Sequence, residues 1–241
     1  MNFVTDISPD PPTAAAACGA HVVRLLSASL EERDTASLAI SGGSTPKLLF
    51  EWLAVQTFDW SRVHLFWVDE RAVPPGDPQS NFTLADTHWL TPASYPKDNI
   101  HRVPAEMPIA EAAKRYAYDI QNHFRLQDGE LPVFDVIQQG IGADAHTASL
   151  FPGEAHVLDT TGIAAAVYVE KLKAARITLL PGVLTAARNT EMLVCGADKA
   201  PALAAVFRSP ENIREFPAQW TRHHRGSVTW FLDEAAANNL R

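Results

Sequence analysis

The chain is 241 residues long and 46% apolar, with 28 acidic against 20 basic residues and a formal charge of −8. That length and apolar fraction build a sizeable core as one large α/β domain or two small ones, and the lack of a Gly/Ser/Pro-rich linker favours one domain over 1–241. The acidic balance argues against general nucleic-acid or anionic-membrane binding, so an anionic ligand needs a local positive site.

The amino terminus carries Asp6 and Asp10 and no basic run, unlike a secretory leader. No apolar stretch reaches the roughly 18 residues of a membrane span, so the cytoplasm is the expected compartment. A helix is expected from a cap at Thr13 through Leu30, with Cys18 inside it as a small buried hydrophobe. Residues 37–40 read as a strand, followed at once by Ser41-Gly-Gly-Ser-Thr-Pro46 and a helix patterned by Leu48, Leu49, Trp52 and Leu53, with Pro46 near its start. The next strand, 63–68, ends in Asp69-Glu-Arg71 and leads into a proline-rich loop over 72–81. A short strand is possible near Ile100, and a helix runs from Pro108 or Ile109 to about Phe124. Strand 134–137 precedes the loop Gly140-Ile-Gly-Ala-Asp-Ala-His-Thr-Ala-Ser-Leu-Phe-Pro-Gly153. Strands 165–169, 191–195 (holding Cys195) and 228–232 complete the pattern, with a helix from Asp198 or Lys199 to Phe207.

Strands alternating with helices imply an α/β fold: a doubly wound, mostly parallel sheet with helices on both faces and right-handed crossovers. In such sheets ligands sit at the carboxyl ends of strands, near a topological switch point. Three polar clusters fall at such ends. In the first, Gly42 and Gly43 allow close backbone approach, Ser41, Ser44 and Thr45 add donors, and a helix amino end follows. A phosphate cradle and a plain strand-to-helix turn fit that spacing equally well, since it is not the P-loop pattern. In the second, Arg71 suits a bidentate grip on phosphate or carboxylate, against a surface ion pair with Asp69 or Glu70. In the third, Asp144 and His146 suit proton transfer, although a lone Asp-x-His is also a common structural pair. Convergence of all three on one site is the economical reading.

Together these strings resemble the 6-phosphogluconolactonase family: Ser41-Gly-Gly-Ser-Thr-Pro46, Trp67-Val-Asp-Glu-Arg71 with Ser80-Asn81, and Gly142-Ala-Asp-Ala-His-Thr-Ala-Ser-Leu-Phe-Pro152. Arg176-Ile-Thr-Leu179 and Trp230-Phe-Leu-Asp-Glu-Ala-Ala236 fit further family strings. The resemblance implies a modified Rossmann-like fold and a cytoplasmic enzyme of the oxidative pentose phosphate pathway. It would hydrolyse 6-phospho-D-glucono-1,5-lactone without metal or organic cofactor. Partners beyond the lactone are not implied: no nucleic acid, no membrane, and a monomer or weak homodimer. In the implied mechanism neutral His146 deprotonates water, Asp144 orients the imidazole, and Arg71 holds phosphate or the developing oxyanion. The glycine-rich turn, Arg176 and a lysine at 171 or 173 complete the anion site. The chain departs from the family twice. Ala145 stands where glycine is usual, which strains the loop if that position has positive φ. No Lys-Pro-Pro string precedes Arg176, so either Lys171 or Lys173 is the candidate.

Three other readings compete. A glucosamine-6-phosphate deaminase or related isomerase would resemble this chain but carry Asn-Glu-Pro shortly after the histidine, where Ser149-Leu-Phe-Pro152 stands. A dinucleotide-binding oxidoreductase would use Gly140-Ile-Gly142-Ala-Asp-Ala145 as its fingerprint, but needs a helix next. A non-catalytic sugar-phosphate sensor would keep the cradle without the base. The spacing of His21, His64, His88, His101, His123 and His156 shows no zinc pattern. Arg222-His-His-Arg225 reads as a solvated loop, and Trp52, Trp60, Trp67, Trp89 and Trp230 as packing residues.

Overall fold

A computed structural model describes residues 4–240. Its main sheet has seven parallel strands: β1 (Val4–Ser8), β2 (Ala36–Ile40), β3 (Val63–Trp67), β5 (Ile100–His101), β6 (Val136–Gln139), β9 (Asn189–Val194) and β10 (Ser227–Asp233). They lie in the order β1-β10-β9-β6-β2-β3-β5. A second, antiparallel sheet joins β4 (Asp69–Arg71), β8 (Ala174–Leu179) and β7 (Ala164–Val169) in the order β4-β8-β7. The helices are α1 (Pro11–Glu32), α2 (Ser44–Ala54), α3 (Asn81–Ala85), α4 (Ile109–Phe124), α5 (Pro181–Ala186) and α6 (Ala200–Arg208).

Every residue of β2 is buried, as a central parallel strand covered on both faces requires. The alternation of side chains along β9 and β10 shows the two covers. Met192, Val194, Trp230 and Leu232 enter one apolar cluster with Leu203 and Val206 of α6. Leu193 and Phe231 point the other way, into the larger cluster with Cys18, Val22 and Leu26 of α1. The expected α/β sheet with helices on both faces is therefore present. Trp67, Trp89 and Trp230 are fully buried, as expected of packing residues.

Several local expectations shift. Helix α1 begins earlier than a cap at Thr13: Asp10 is the cap, its carboxylate accepting the Thr13 N–H at 2.8 Å, with Pro11 and Pro12 in the first turn where no N–H is needed. Contrary to the sequence reading, α1 is also long and apolar enough to cross a membrane by those measures alone. Its apolar face is instead packed into the core through Ala14, Ala15, Cys18, Val22 and Leu26. Strand β6 runs two residues past the apolar run, because Gln138 and Gln139 are buried with their amides bonded: Gln138 Nε2 donates to the Gln139 carbonyl, and Gln139 Oε1 accepts from Thr147 Oγ1. Strands β1, β4 and β8 have no continuous apolar run and were not anticipated. Arg222 is no solvated loop residue: its Nε donates to the Val206 carbonyl at 2.9 Å and its Nη2 to that of Ser209, closing the carboxyl end of α6.

Candidate active site

The sheet order reverses between β2 and β6. From β2 the chain proceeds outward through β3 and β5, while β6 leads to β9, β10 and β1 on the other side. The loops leaving β2 and β6 therefore diverge and open a crevice of about 170 Å³ at the carboxyl ends. Residues 41–46, Gly140, Ile141, His146 and Ala148 line it from the main sheet, and Asp69, Arg71 and Arg176 from the small one.

The glycine-rich turn is shaped by two different constraints. A Cβ on Gly42 would lie 1.8 Å from Asn81 Oδ1, so the turn is locked against the start of α3 only because this position has no side chain. Gly43 has φ +126° and sits at the N-cap of α2, a conformation that side chains disfavour. The amino end of the 11-residue α2 thus borders the crevice with its free N–H groups. Ser41 Oγ is buried there without a hydrogen-bond partner.

Arg71 and Arg176 are directly opposed in the β4–β8 register, which puts both on one face of the small sheet. Arg71 Nη1 donates to the Gln79 carbonyl at 2.6 Å, and Arg176 lies with its Cζ 5.8 Å from the Phe151 ring centre. The Nε of each is buried and unpartnered. The ion-pair reading of Arg71 is not what forms. Glu70 is buried and accepts the N–H groups of Arg71, Asn81 and Phe82 and the Ser80 hydroxyl. Asp69 accepts from Ser149 Oγ at 2.6 Å and stands 4.0 Å from Arg176 Nη1. Burial pulls the Arg176 guanidinium below its ordinary pKa, with Asp69 opposing the shift.

In the loop after β6, Asp144 Oδ1 lies 2.5 Å from His146 Nδ1, and Asp144 Oδ2 accepts from Lys171 Nζ at 2.8 Å. The His146 hydrogen bond, helped by Lys171 against burial, holds the Asp144 carboxyl well below the usual carboxylate range. An ionised Asp144 accepts only, so a neutral His146 imidazole holds its proton on Nδ1 and presents the lone pair on Nε2. The imidazole stacks on Phe151 at 4.1 Å between ring centres. Gly142 makes that placement possible, since a Cβ there would meet His146 Nδ1 at 2.0 Å.

The strain anticipated at position 145 is present. Ala145 has φ +62° and Ala148 has φ +52°, left-handed conformations costing on the order of 1–3 kcal/mol each. Ala145 is buried in the cluster of Ile141, Met192 and Trp230, and its carbonyl accepts from Ala218 N at 3.0 Å. Packing of the methyl group offsets part of the backbone cost.

The family model described as glucosamine-6-phosphate isomerases/6-phosphogluconolactonase matches residues 9–230. This chain belongs to that family. A 6-phosphogluconolactonase of Nostoc sp. is 36% identical, over 100% of this chain and 99% of its own length. The Homo sapiens 6-phosphogluconolactonase is 34% identical over 85% of this chain and 80% of its own. Among solved structures, the 6-phosphogluconolactonase from Trypanosoma cruzi superposes with a TM-score of 0.90 at 25% identity, covering 99% of this chain and 97% of that one. A monomeric glucosamine-6-phosphate deaminase superposes with a TM-score of 0.82 at 15% identity, covering 98% of this chain and 100% of that one, which shows the fold alone.

Within the family fold, eight of the residues singled out from sequence border the crevice: Ser41, Gly42, Gly43, Ser44, Thr45, Arg71, His146 and Arg176. Asp144 stands behind the imidazole, and Lys171 reaches it from the turn after β7. Lys173 does not join them. It occupies a left-handed position with φ +49° and its Nζ pairs with Glu170 at 2.7 Å. Lys199 and Cys195 border the crevice and were overlooked. The available signal for Lys199 was its position in another strand-to-helix turn, after β9, but nothing in the local string set it apart from a helix-start residue.

Proposed function

We propose that this chain hydrolyses 6-phospho-D-glucono-1,5-lactone to 6-phospho-D-gluconate, the lactone step of the oxidative pentose phosphate pathway, with His146 as the general base. One observation carries the reading: the bare imidazole nitrogen of His146 shares a crevice with two guanidinium groups whose Nε atoms have no partner. A lactone carbonyl carbon is attacked by water. His146 Nε2 takes a proton from that water as the new C–O bond forms, a role worth typically 10²–10⁴-fold. The carbonyl oxygen becomes an oxyanion facing cationic donors. As the ring C–O bond breaks, the imidazolium returns the proton to the ring oxygen, giving the hydroxyl and the acid. Asp144 keeps the imidazole in the required tautomer and supports its charged form. Arg71, Arg176, Lys199 and the amino end of α2 hold the phosphate and the oxyanion; Lys171 acts through Asp144. We place the enzyme in the cytoplasm as a single domain, a monomer or weak homodimer, with no cofactor in this scheme.

The test is acid release from freshly generated 6-phosphogluconolactone, measured above the spontaneous rate and repeated with unphosphorylated gluconolactone. Hydrolysis strongly favouring the phosphorylated substrate is expected. Tight phosphogluconate binding with no rate above background would instead indicate a sensor, and ammonia release from glucosamine 6-phosphate a deaminase. The dinucleotide reading lacks its helix: after Gly142 the chain forms a turn closed by the Thr147–Leu150 bridge.

A further inference from the structure

At the β3–β5 edge of the same sheet three histidines meet. His64 is the second residue of β3, His101 the last of β5, and His123 lies in the final turn of α4. Their candidate ligand nitrogens all lie within 4.8 Å of one another. His64 Nδ1 and His101 Nε2 are 3.0 Å apart, and the rings of His64 and His123 are 4.4 Å apart between centres. Since β3 rises roughly 3.3 Å per residue, His64 lies roughly 10 Å along the strand from Trp67, its last residue.

The geometry points to a divalent transition-metal site of the zinc class, with His64, His101 and His123 as ligands and one position left to water. Zinc–nitrogen bonds of about 2.0–2.1 Å in tetrahedral geometry set ligand nitrogens about 3.3 Å apart. The His64–His101 pair is already near that spacing, and His123 needs a shift of roughly 1.5 Å at most, within the reach of a rotamer adjustment.

Three surrounding features suit a cation. Asp119 Oδ2 lies 2.9 Å from His101 Nδ1, the carboxylate–histidine pairing that fixes a metal-binding tautomer and turns Nε2 inward. Asp119 and His123 are four residues apart on one face of α4, so the helix positions ligand and supporting carboxylate together. The carboxyl end of this 16-residue helix also carries the negative pole of its dipole. His101 stacks on Phe66 with centres 4.2 Å apart and planes 5° apart, which fixes its ring. His101 and Asp119 side chains are 15% and 41% exposed, so a metal can enter from solvent. The spacing of these histidines in the chain could not show this, because the ligands come from three separate elements. Binding would tie the two-residue edge strand β5 and the end of α4 to β3, away from the lactone.

The test is zinc titration of the EDTA-treated full-length protein, with cobalt(II) absorption as a second readout. One bound equivalent, a tetrahedral cobalt spectrum and a raised melting temperature are expected. His123→Gln should abolish that binding, and Asp119→Asn should weaken it about 10- to 100-fold, while both keep lactone hydrolysis at the wild-type rate. His146→Gln should bind zinc normally, which separates this site from the crevice. Binding that survives His123→Gln and Asp119→Asn unchanged, binding lost in His146→Gln, or no binding by the wild type would each overturn the assignment. None of these results bears on the proposed hydrolysis.

Discussion

Among the described residues, two histidine–aspartate pairs of similar geometry stand at different places on one sheet, and they have different surroundings. Asp144 holds His146 at 2.5 Å, and Asp119 holds His101 at 2.9 Å. In both, the hydrogen bond from histidine keeps the carboxyl below its ordinary range. What differs is what the other imidazole nitrogen meets. For His146 it is a crevice bordered by two arginines and a helix amino end; for His101 it is another imidazole. The pairing sets a tautomer, and the chemistry follows from the groups placed around the remaining lone pair.

The comparison breaks most sharply through the two histidines themselves. His146→Gln should lower kcat for the phosphorylated lactone by 10²–10⁴-fold with little change in KM. His101→Gln should leave kcat unchanged. Equal losses in both variants would remove the distinction between the pairs.

Next in size are the guanidinium groups. Arg176→Ala should lower kcat/KM for the phosphorylated lactone by about 10- to 100-fold, the value of one or two charge-assisted hydrogen bonds. If this group holds the phosphate, the loss should largely disappear with unphosphorylated gluconolactone. A smaller effect tracks the charge on Asp144. Because its folded pKa is depressed, its stabilisation is complete above the ordinary carboxylate range and is lost as pH falls through the lower folded value. The melting temperature of Asp144→Asn should therefore lie below wild type from pH 8 to pH 5, and the gap should begin to narrow below about pH 4 and shrink steadily with further acid. A gap that widened in acid would contradict the depressed pKa. Smallest is the backbone effect at position 145. Ala145→Gly relieves a left-handed alanine but deletes a buried methyl, so stability should change by less than about 1 kcal/mol, and thermal denaturation measures the balance.

The crevice was largely legible because its components are local strings. A glycine-rich turn, a strand-end arginine and an Asp-x-His loop each declare themselves within a few residues. Most parallel strands were legible for the same reason: burial on both faces leaves continuous apolar runs such as Met192–Val194. Strands β4 and β8 were not, since their register pairs Arg71 with Arg176 and carries polar side chains into the crevice. The same applies to Lys199, and to the meeting of His64, His101 and His123. Those depend on which elements become neighbours, and no local periodicity encodes that. Choosing Lys171 over Lys173 likewise required the left-handed backbone at 173, which turns one lysine toward Asp144 and the other away.

The buried carboxylate of Glu70 gathers three backbone amides and a hydroxyl from both ends of the segment between Arg71 and Phe82. That segment is consequently anchored at its base, whereas its apex at Pro74, Pro75 and Gly76 stands exposed, and a side chain on Gly76 would meet nothing within 4 Å. Pro75→Cys is accordingly an exposed attachment point for a fluorophore that leaves the Glu70 anchors intact.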